Sequence, residues 1–241
     1  MKISVCMATY NGAKYVLSQL TSILSQLSAY DEVIIVDDCS SDDTVQIIQS
    51  LNDTRIKIFI STSNEGVVKS FEKALRMAGG ELIFLSDQDD VWFDNKVAEL
   101  VNIFSSEEVD LIVHDAVLVI NGKANANTLF QFRNSSKGVI KNVVSNTYVG
   151  CCMAFNRKIL NNILPIPAKI GILHDAWIGI LANFYNYNIL FHDKTLIYFI
   201  RHDNNASTLV RRNIVRIMFE RFILIHAVII HVIRKYIRDS K

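Results

Sequence analysis

The chain has 241 residues, 50% of them hydrophobic, with two prolines, four cysteines and a formal net charge of +1. That length buries a full core as one domain, and the composition leaves no room for a disordered linker, a low-complexity tract or a nucleic-acid partner. Cys6, Cys39, Cys151 and Cys152 lack disulfide-like spacing, which implies a reducing compartment. Only about six apolar residues separate Lys2 from Thr9, so no signal peptide is expected.

Taken in chain order, Ile3–Ala8 reads as a strand and Thr9-Tyr10-Asn11-Gly12 as a turn whose Asn-Gly pair tolerates left-handed geometry. A helix follows over about residues 15–27. Val33–Val36 is a second continuously apolar strand, ending in Asp37-Asp38 and the helix-start residues Ser40 to Thr44. A third strand, Ile56–Ile60, leads through Asn64-Glu65-Gly66 to a helix over 67–78 that Gly79-Gly80 terminates. The fourth strand, Leu82–Leu85, delivers Asp87, Asp89 and Asp90. Four alternations of apolar strand and helix predict a parallel, doubly wound sheet whose C-terminal rim binds ligand. Three carboxylates on that rim are costly unless a cation sits against them, and a divalent metal such as Mg²⁺ or Mn²⁺ takes such oxygen ligands. The alternative is a solvated acidic turn capping the helix that starts near Asn95.

Further on, Leu111–Asp115 and Val117–Ile120 read as a strand pair leading into an Asn121-Gly122 turn. Residues 123–145 are polar, with little periodicity, and read as a mobile loop over the cleft. Cys151 and Cys152, being adjacent, lack the two-residue gap of a zinc site. Asp175 precedes an apolar-faced segment, Trp177–Tyr187, which puts it in the first turn of a helix.

Seven elements in order carry a resemblance. They are Val5-Cys-Met-Ala-Thr-Tyr-Asn11, Val36-Asp-Asp-Cys-Ser-Ser-Asp42, Asn64-Glu-Gly66, Ser86-Asp-Gln-Asp-Asp-Val-Trp92, Gly150-Cys-Cys-Met-Ala-Phe-Asn-Arg157, His174-Asp-Ala-Trp177 and His202-Asp-Asn-Asn205. Over about residues 1–208 the chain resembles the nucleotide-sugar-dependent family 2 glycosyltransferases, most closely their rhamnosyltransferase-like branch. The resemblance implies a GT-A fold, a Rossmann-like mixed sheet flanked by helices, with residues 1–115 as the nucleotide-sugar half and 116–208 as the acceptor half. By the same resemblance Asp89 is the main ligand of a Mn²⁺ or Mg²⁺ ion and His202 a second. Asp87 lies toward the donor ribose or sugar, and Asp90 orients the loop. The backbone around Ala8, Thr9 and Tyr10 receives base and ribose, and Asp38 accepts a hydrogen bond from uracil or thymine. Asp175 is the implied base of an inverting transfer, Trp177 the ring that stacks on acceptor, Asp115 a contact to the donor sugar and Gly150 a point of close backbone approach. The family usually carries an aromatic where this chain has Ala176, which leaves the acceptor side undefined.

The implied donor is a dTDP- or UDP-sugar, with rhamnose first and galactose, glucose or an N-acetylated hexosamine open. The implied acceptor is an undecaprenyl-diphosphate-linked glycan of bacterial surface polysaccharide. Residues 201–241 carry nine Lys or Arg against three Asp or Glu. This basic, apolar tail, 209–241, predicts an amphipathic helix lying on the inner face of the cell membrane, or else packed on the core or on a second subunit. A sugar nucleotidyltransferase would want a glycine-rich phosphate loop, and a nicotinamide dehydrogenase a G-x-G-x-x-G after the first strand; neither is present. A non-catalytic carbohydrate-binding or scaffold subunit remains a third reading.

Overall fold

A computed structural model of the chain describes residues 1–120, 122–136, 138–144, 146–169, 171–201 and 214–239. The first half alternates as the sequence predicts: β1 Ile3–Thr9, α1 Val16–Leu24, β2 Glu32–Asp37, α2 Thr44–Ser50, β3 Ile56–Ile60, α3 Val67–Met77 and β4 Leu82–Ser86. A two-residue strand β5, Val91–Trp92, and helix α4, Lys96–Ser106, follow. Next come β6 Leu111–Ile120, β7 Lys123–Ala124, α5 Leu129–Arg133, α6 Val139–Val144, β8 Met153–Asn156, α7 Leu160–Ile163, α8 His174–Phe184, β9 Ile189–Arg201 and α9 Ile214–Asp239.

Among the described residues the strands form one sheet in the order β3-β2-β1-β4-β8-β6-β9-β5, with β7 on β6. β1 to β4 are mutually parallel, β8 runs antiparallel to both β4 and β6, and β9 is parallel to β6. The sheet is therefore mixed, and the C-terminal ends of β1, β2, β4 and β6 meet the N-terminal end of β8 along one rim. β1, β2 and β4 are buried along their lengths, which is why they read as unbroken apolar runs.

Two expectations are corrected here. The strand pair at 111–115 and 117–120 is one strand, β6, paired with β9 throughout, and its register shifts between His114, Asp115 and Val117. The irregularity that looked like a break is a bulge. The expected loop over 123–145 contains β7, α5 and α6. Helix α5 is fixed by a capping box in which Thr128 and Gln131 exchange side-chain and backbone hydrogen bonds. Thr-x-x-Gln is legible in the sequence but easily lost among the asparagines around it.

The parallel half is tied together by one buried carboxylate. Glu32 of β2 accepts from Ser4 Oγ of β1 at 2.6 Å, from Gly79 N beyond α3 at 2.8 Å and from Lys57 Nζ of β3 at 2.6 Å. Burial pulls its pKa upward, but those bonds and Lys2 outweigh it and bring the carboxyl down to about 2. Because the folded value lies below the unfolded one, this stabilisation is complete above the unfolded value near 4.5 and is lost as pH falls toward 2. Melting curves from pH 7 to pH 2 should therefore fall more steeply for the native chain than for Glu32→Gln, which starts less stable at pH 7. Parallel acid limbs for the two proteins would remove Glu32 as the tie.

Candidate active site

The acidic loop after β4 is held from three sides. Gln19 Nε2 of α1 donates to Ser86 Oγ at 2.7 Å and to the Asp87 carbonyl at 3.0 Å. Ser22 Oγ accepts from Trp92 N, and Gln26 Oε1 from Val97 N. Gln19 and Ser22 stand three residues apart on one face of α1, and Gln26 lies in the turn just past its end, so the three braces come from one segment. Gln88 then pairs with the backbone of Tyr10, accepting from its N–H at 2.9 Å and donating to its carbonyl at 3.1 Å. A Cβ on Gly12 would sit 2.2 Å from Gln88 Oε1, so this bridge needs the glycine.

The two nucleotide-side loops are stitched as firmly. Asn11 takes the expected left-handed conformation, φ 47°, and its side chain accepts from Ser41 N. Thr9 Oγ1 donates to Asp37, which also takes Ser40 N and Oγ. Asp38 accepts from Glu65 N and Gly66 N, each at 2.8 Å, and so clamps the turn before α3. A carboxylate has about four acceptor positions, so two remain for a base N–H. Ala8 is partly buried at the end of β1, and Tyr10 is 46% exposed beside the acidic loop, open for stacking.

Asp87, Asp90 and Cys151 bring one ligand atom each within 4.8 Å of one another. Asp90 Oδ1 accepts from Ile200 N of β9 at 3.1 Å, orienting the loop as expected, while its Oδ2 is buried without a hydrogen-bond partner among the described residues. Burial first, then the Asp89 charge, push Asp90 up to about 7. Burial and the charges of Asp90, Asp89 and Asp175 hold Asp87 well above the usual carboxylate range. That Asp175 is felt at Asp87 joins the N-terminus of α8 to the same cleft. Burial likewise keeps the Cys151 thiol protonated, so it is a poor ligand for a hard cation.

Two cations that sequence reasoning missed answer this charge. Lys96, at the start of α4, is fully buried; its Nζ donates to the Cys151 carbonyl at 2.9 Å and lies 4.0 Å over the Trp92 ring. Burial pulls its ammonium down to about 8, against the attraction of the cysteines, Asp90 and Asp87. Arg201, the last residue of β9, faces the charges of Asp89, Asp90 and Asp87 and the opposing Arg133. Three loop carboxylates plus Asp175 thus meet two fixed cations. The surplus of hard oxygen donors and the orphaned Asp90 Oδ2 fit a divalent cation. His202 lies outside the described residues, as does the rest of its motif.

Asp175 sits in the first turn of α8 as predicted, its Oδ1 accepting from Ala176 N at 2.6 Å with Asn146 Nδ2 at a long 3.5 Å. Among the described residues its Oδ2 makes no hydrogen bond. Gly150 opens a buried turn, Gly150–Cys152, where a Cβ would meet His174 Nε2 at 2.7 Å; the close approach is to His174. Asp115 uses Oδ1 to hold Ala116 N and Phe130 N, anchoring α5 at the β6 bulge. Trp177 corrects the expectation of an acceptor-stacking ring. It is fully buried, donates Nε1 to the Ile163 carbonyl at 2.8 Å and meets the His231 ring edge-on at 5.2 Å.

Residues 4–164 match the sequence profile described as Glycosyl transferase family 2. A curated relative, the Escherichia coli UDP-Glc:alpha-D-GlcNAc-diphosphoundecaprenol beta-1,3-glucosyltransferase WfgD, is 24% identical over 186 residues, 75% of this chain and 70% of its own. The chain spans 58% of the length of one curated relative that is 30% identical over 191 residues, and 43% of another that is 33% identical over 107 residues. Among solved structures, Staphylococcus aureus TarS 1–349 with UDP-GlcNAc superposes with a TM-score of 0.72 at 23% identity, covering 93% of this chain and 66% of that one. The Pyrobaculum calidifontis mannosyltransferase PcManGT with GDP-Man and Mn²⁺ superposes with a TM-score of 0.63 at 21% identity, covering 83% and 56%. These likenesses carry the GT-A fold of the mixed sheet, and the profile match across both strand-end loops and the Gly150 turn means that the chain belongs to glycosyl transferase family 2.

Proposed function

We propose that this protein transfers a sugar, with inversion, from a pyrimidine nucleoside diphosphate to a lipid-linked glycan in the assembly of a bacterial surface polysaccharide. The observation that carries the reading is the convergence of Asp87, Asp89, Asp90 and Asp175 on one cleft, beside loops that expose Tyr10 and retain acceptor capacity on Asp38. The donors named for WfgD and TarS put UDP ahead of dTDP, and so glucose or N-acetylglucosamine ahead of rhamnose. The WfgD acceptor, carried on diphosphoundecaprenol, supports a lipid-linked acceptor at the inner membrane face.

In this reading Tyr10 and Asp38 bind the base, while the braced loop sets Asp87 and Asp89 toward the diphosphate. Asp89, with Asp87 and His202, would hold a divalent cation, which would supply Lewis-acid stabilisation of the charge on the departing diphosphate. The Mn²⁺ in PcManGT supports that assignment. Asp175 takes the proton from the acceptor hydroxyl through Oδ2 as the oxygen attacks the anomeric carbon, and Asn146 and the Ala176 N–H steady Oδ1. The C–O bond to the diphosphate breaks on the opposite face, so one displacement inverts the centre without a second carboxylate nucleophile.

Asp175→Asn should retain UDP binding while turnover falls by about 10²–10⁴-fold, the worth of a positioned base; calorimetry and sugar-transfer assays read the two separately. Weakened donor affinity with normal turnover would reduce Asp175 to a structural cap. Asp89→Ala should abolish Mn²⁺-dependent stabilisation by UDP or dTDP in a thermal shift, and an unchanged shift would end the metal reading.

The crowded carboxylates also predict a pH dependence. Since the folded Asp90 value, about 7, exceeds the ordinary 3.8, the metal-free protein loses stability from this group as pH rises between the two. Melting with chelator at pH 5 and pH 8 should give Asp90→Asn a larger advantage over the native chain at pH 8. An equal offset at both would remove the like-charge account.

A further inference from the structure

Helix α9 packs back on the core and roofs a cavity. Its inner face buries Glu220, Leu224 and Ala227, and His231 Nε2 donates to the Asn162 carbonyl of α7 at 2.7 Å. Gly171 lets the helix close in, since a Cβ there would meet Glu220 Cγ at 2.5 Å. Between α9, α8 and the segment that follows α7 lies a space of about 370 Å³. That is within the range of roughly 300–1,000 Å³ usual for small-molecule sites.

The cavity is apolar at its floor and basic at its rim. Trp177 and Ala227, both buried, floor it, and Leu164 and Ile230 extend the apolar wall. Lys169, Arg234 and Arg238 line it from exposed positions, Lys235 joins them, and no acidic residue does. Lys235 also donates to the Asn161 carbonyl, a bond that cancels no charge. Burial, then the charges of Lys235 and Arg238, pull the His231 imidazole below its ordinary value against the bond to Asn162. His231 lines the same cavity, so both cations are felt inside it.

We propose that this cavity binds a diphosphate carried on an apolar chain, with the chain against Trp177, Ala227 and Ile230 and the diphosphate among the rim cations. This deepens the proposed transfer to a lipid-linked acceptor and rests on that reading for the source of the ligand, though not for its chemistry. Charge selects the headgroup. Several cations with no carboxylate among them exceed the single charge of a phosphodiester and suit the higher charge of a diphosphate. The floor selects the chain, because a free diphosphate would leave that apolar surface in water. The cavity also stands apart from the donor cleft. Trp177 lies two residues from Asp175, which puts it on the other side of α8, so the two sites fill independently.

The test is calorimetry of the full chain with farnesyl diphosphate in chelator, without and with saturating UDP. Native protein should bind one equivalent in both, about tenfold or more tighter than farnesol, inorganic diphosphate or a short-chain phosphatidylglycerol. Lys169→Glu with Arg234→Glu should weaken binding by about tenfold or more. Ile230→Trp, which fills the apolar end, should erase the preference over inorganic diphosphate. Circular-dichroism melts that match the native chain check the fold of both variants. No binding, equal binding of inorganic diphosphate or phosphatidylglycerol, displacement by UDP, or an unchanged affinity in the charge variant would each overturn the inference. Absence of a UDP response in a native protein that still holds farnesyl diphosphate would instead remove the transferase reading and leave the cavity's ligand standing.

Discussion

Like-charge crowding at the end of β4 is the constraint around which the site is built. Asp87, Asp89 and Asp90 fall within four residues, two of them with raised carboxyl pKa values, and the loop has little freedom to swing them apart. Gln19, Ser22 and Gln26 brace it from α1 and the turn after it, Gln88 bolts it to Tyr10, and Ile200 N holds Asp90 from β9. β4 lies between β1 and β8 in the sheet, so every neighbour of the loop is itself fixed. The carboxyls relieve that repulsion by holding protons rather than by moving apart, and an incoming cation or cationic group would take the place of those protons.

The two resident cations answer that repulsion differently. Lys96 is locked between the Trp92 ring and the Cys151 carbonyl, and its position follows from α4 starting where β5 ends. It offsets charge from below without entering the cleft. Arg201 arrives from the last residue of β9 and faces the charges of the loop carboxylates from the side. A buried lysine and an arginine approach the carboxylates from different elements, so the charge around the loop is compensated unevenly.

How legible this was in the sequence depended on burial. β1, β2 and β4, buried on both faces, announced themselves as unbroken apolar runs, and their acidic ends could be read directly. The β6–β9 pair was harder, because a bulge at Asp115 interrupts the pattern and β9 is half exposed. Trp177 looked like a site residue because the family resemblance expects an aromatic where this chain has Ala176, yet successive helix positions point about 100° apart and two residues from Asp175 reverse the face. Lys96 carried no signal of burial in its residue type, since lysines are almost never fully buried unless paired. Gln19 and Ser22 did carry one, polar positions beside the apolar inner face of α1, recognisable once the acidic loop needed a support.

The same reversal of face gives α8 its place in the molecule. Asp175 looks into the cleft from the first turn, while Trp177, two residues on, turns its back to it and meets His231 of α9. About half a helical turn thus separates the Asp175 carboxylate from the contact that fixes the tail helix. Through that contact α9 packs on Trp177, and Trp177 steadies the turn that carries Asp175, so the orientation of the first turn of α8 is set by packing from behind it.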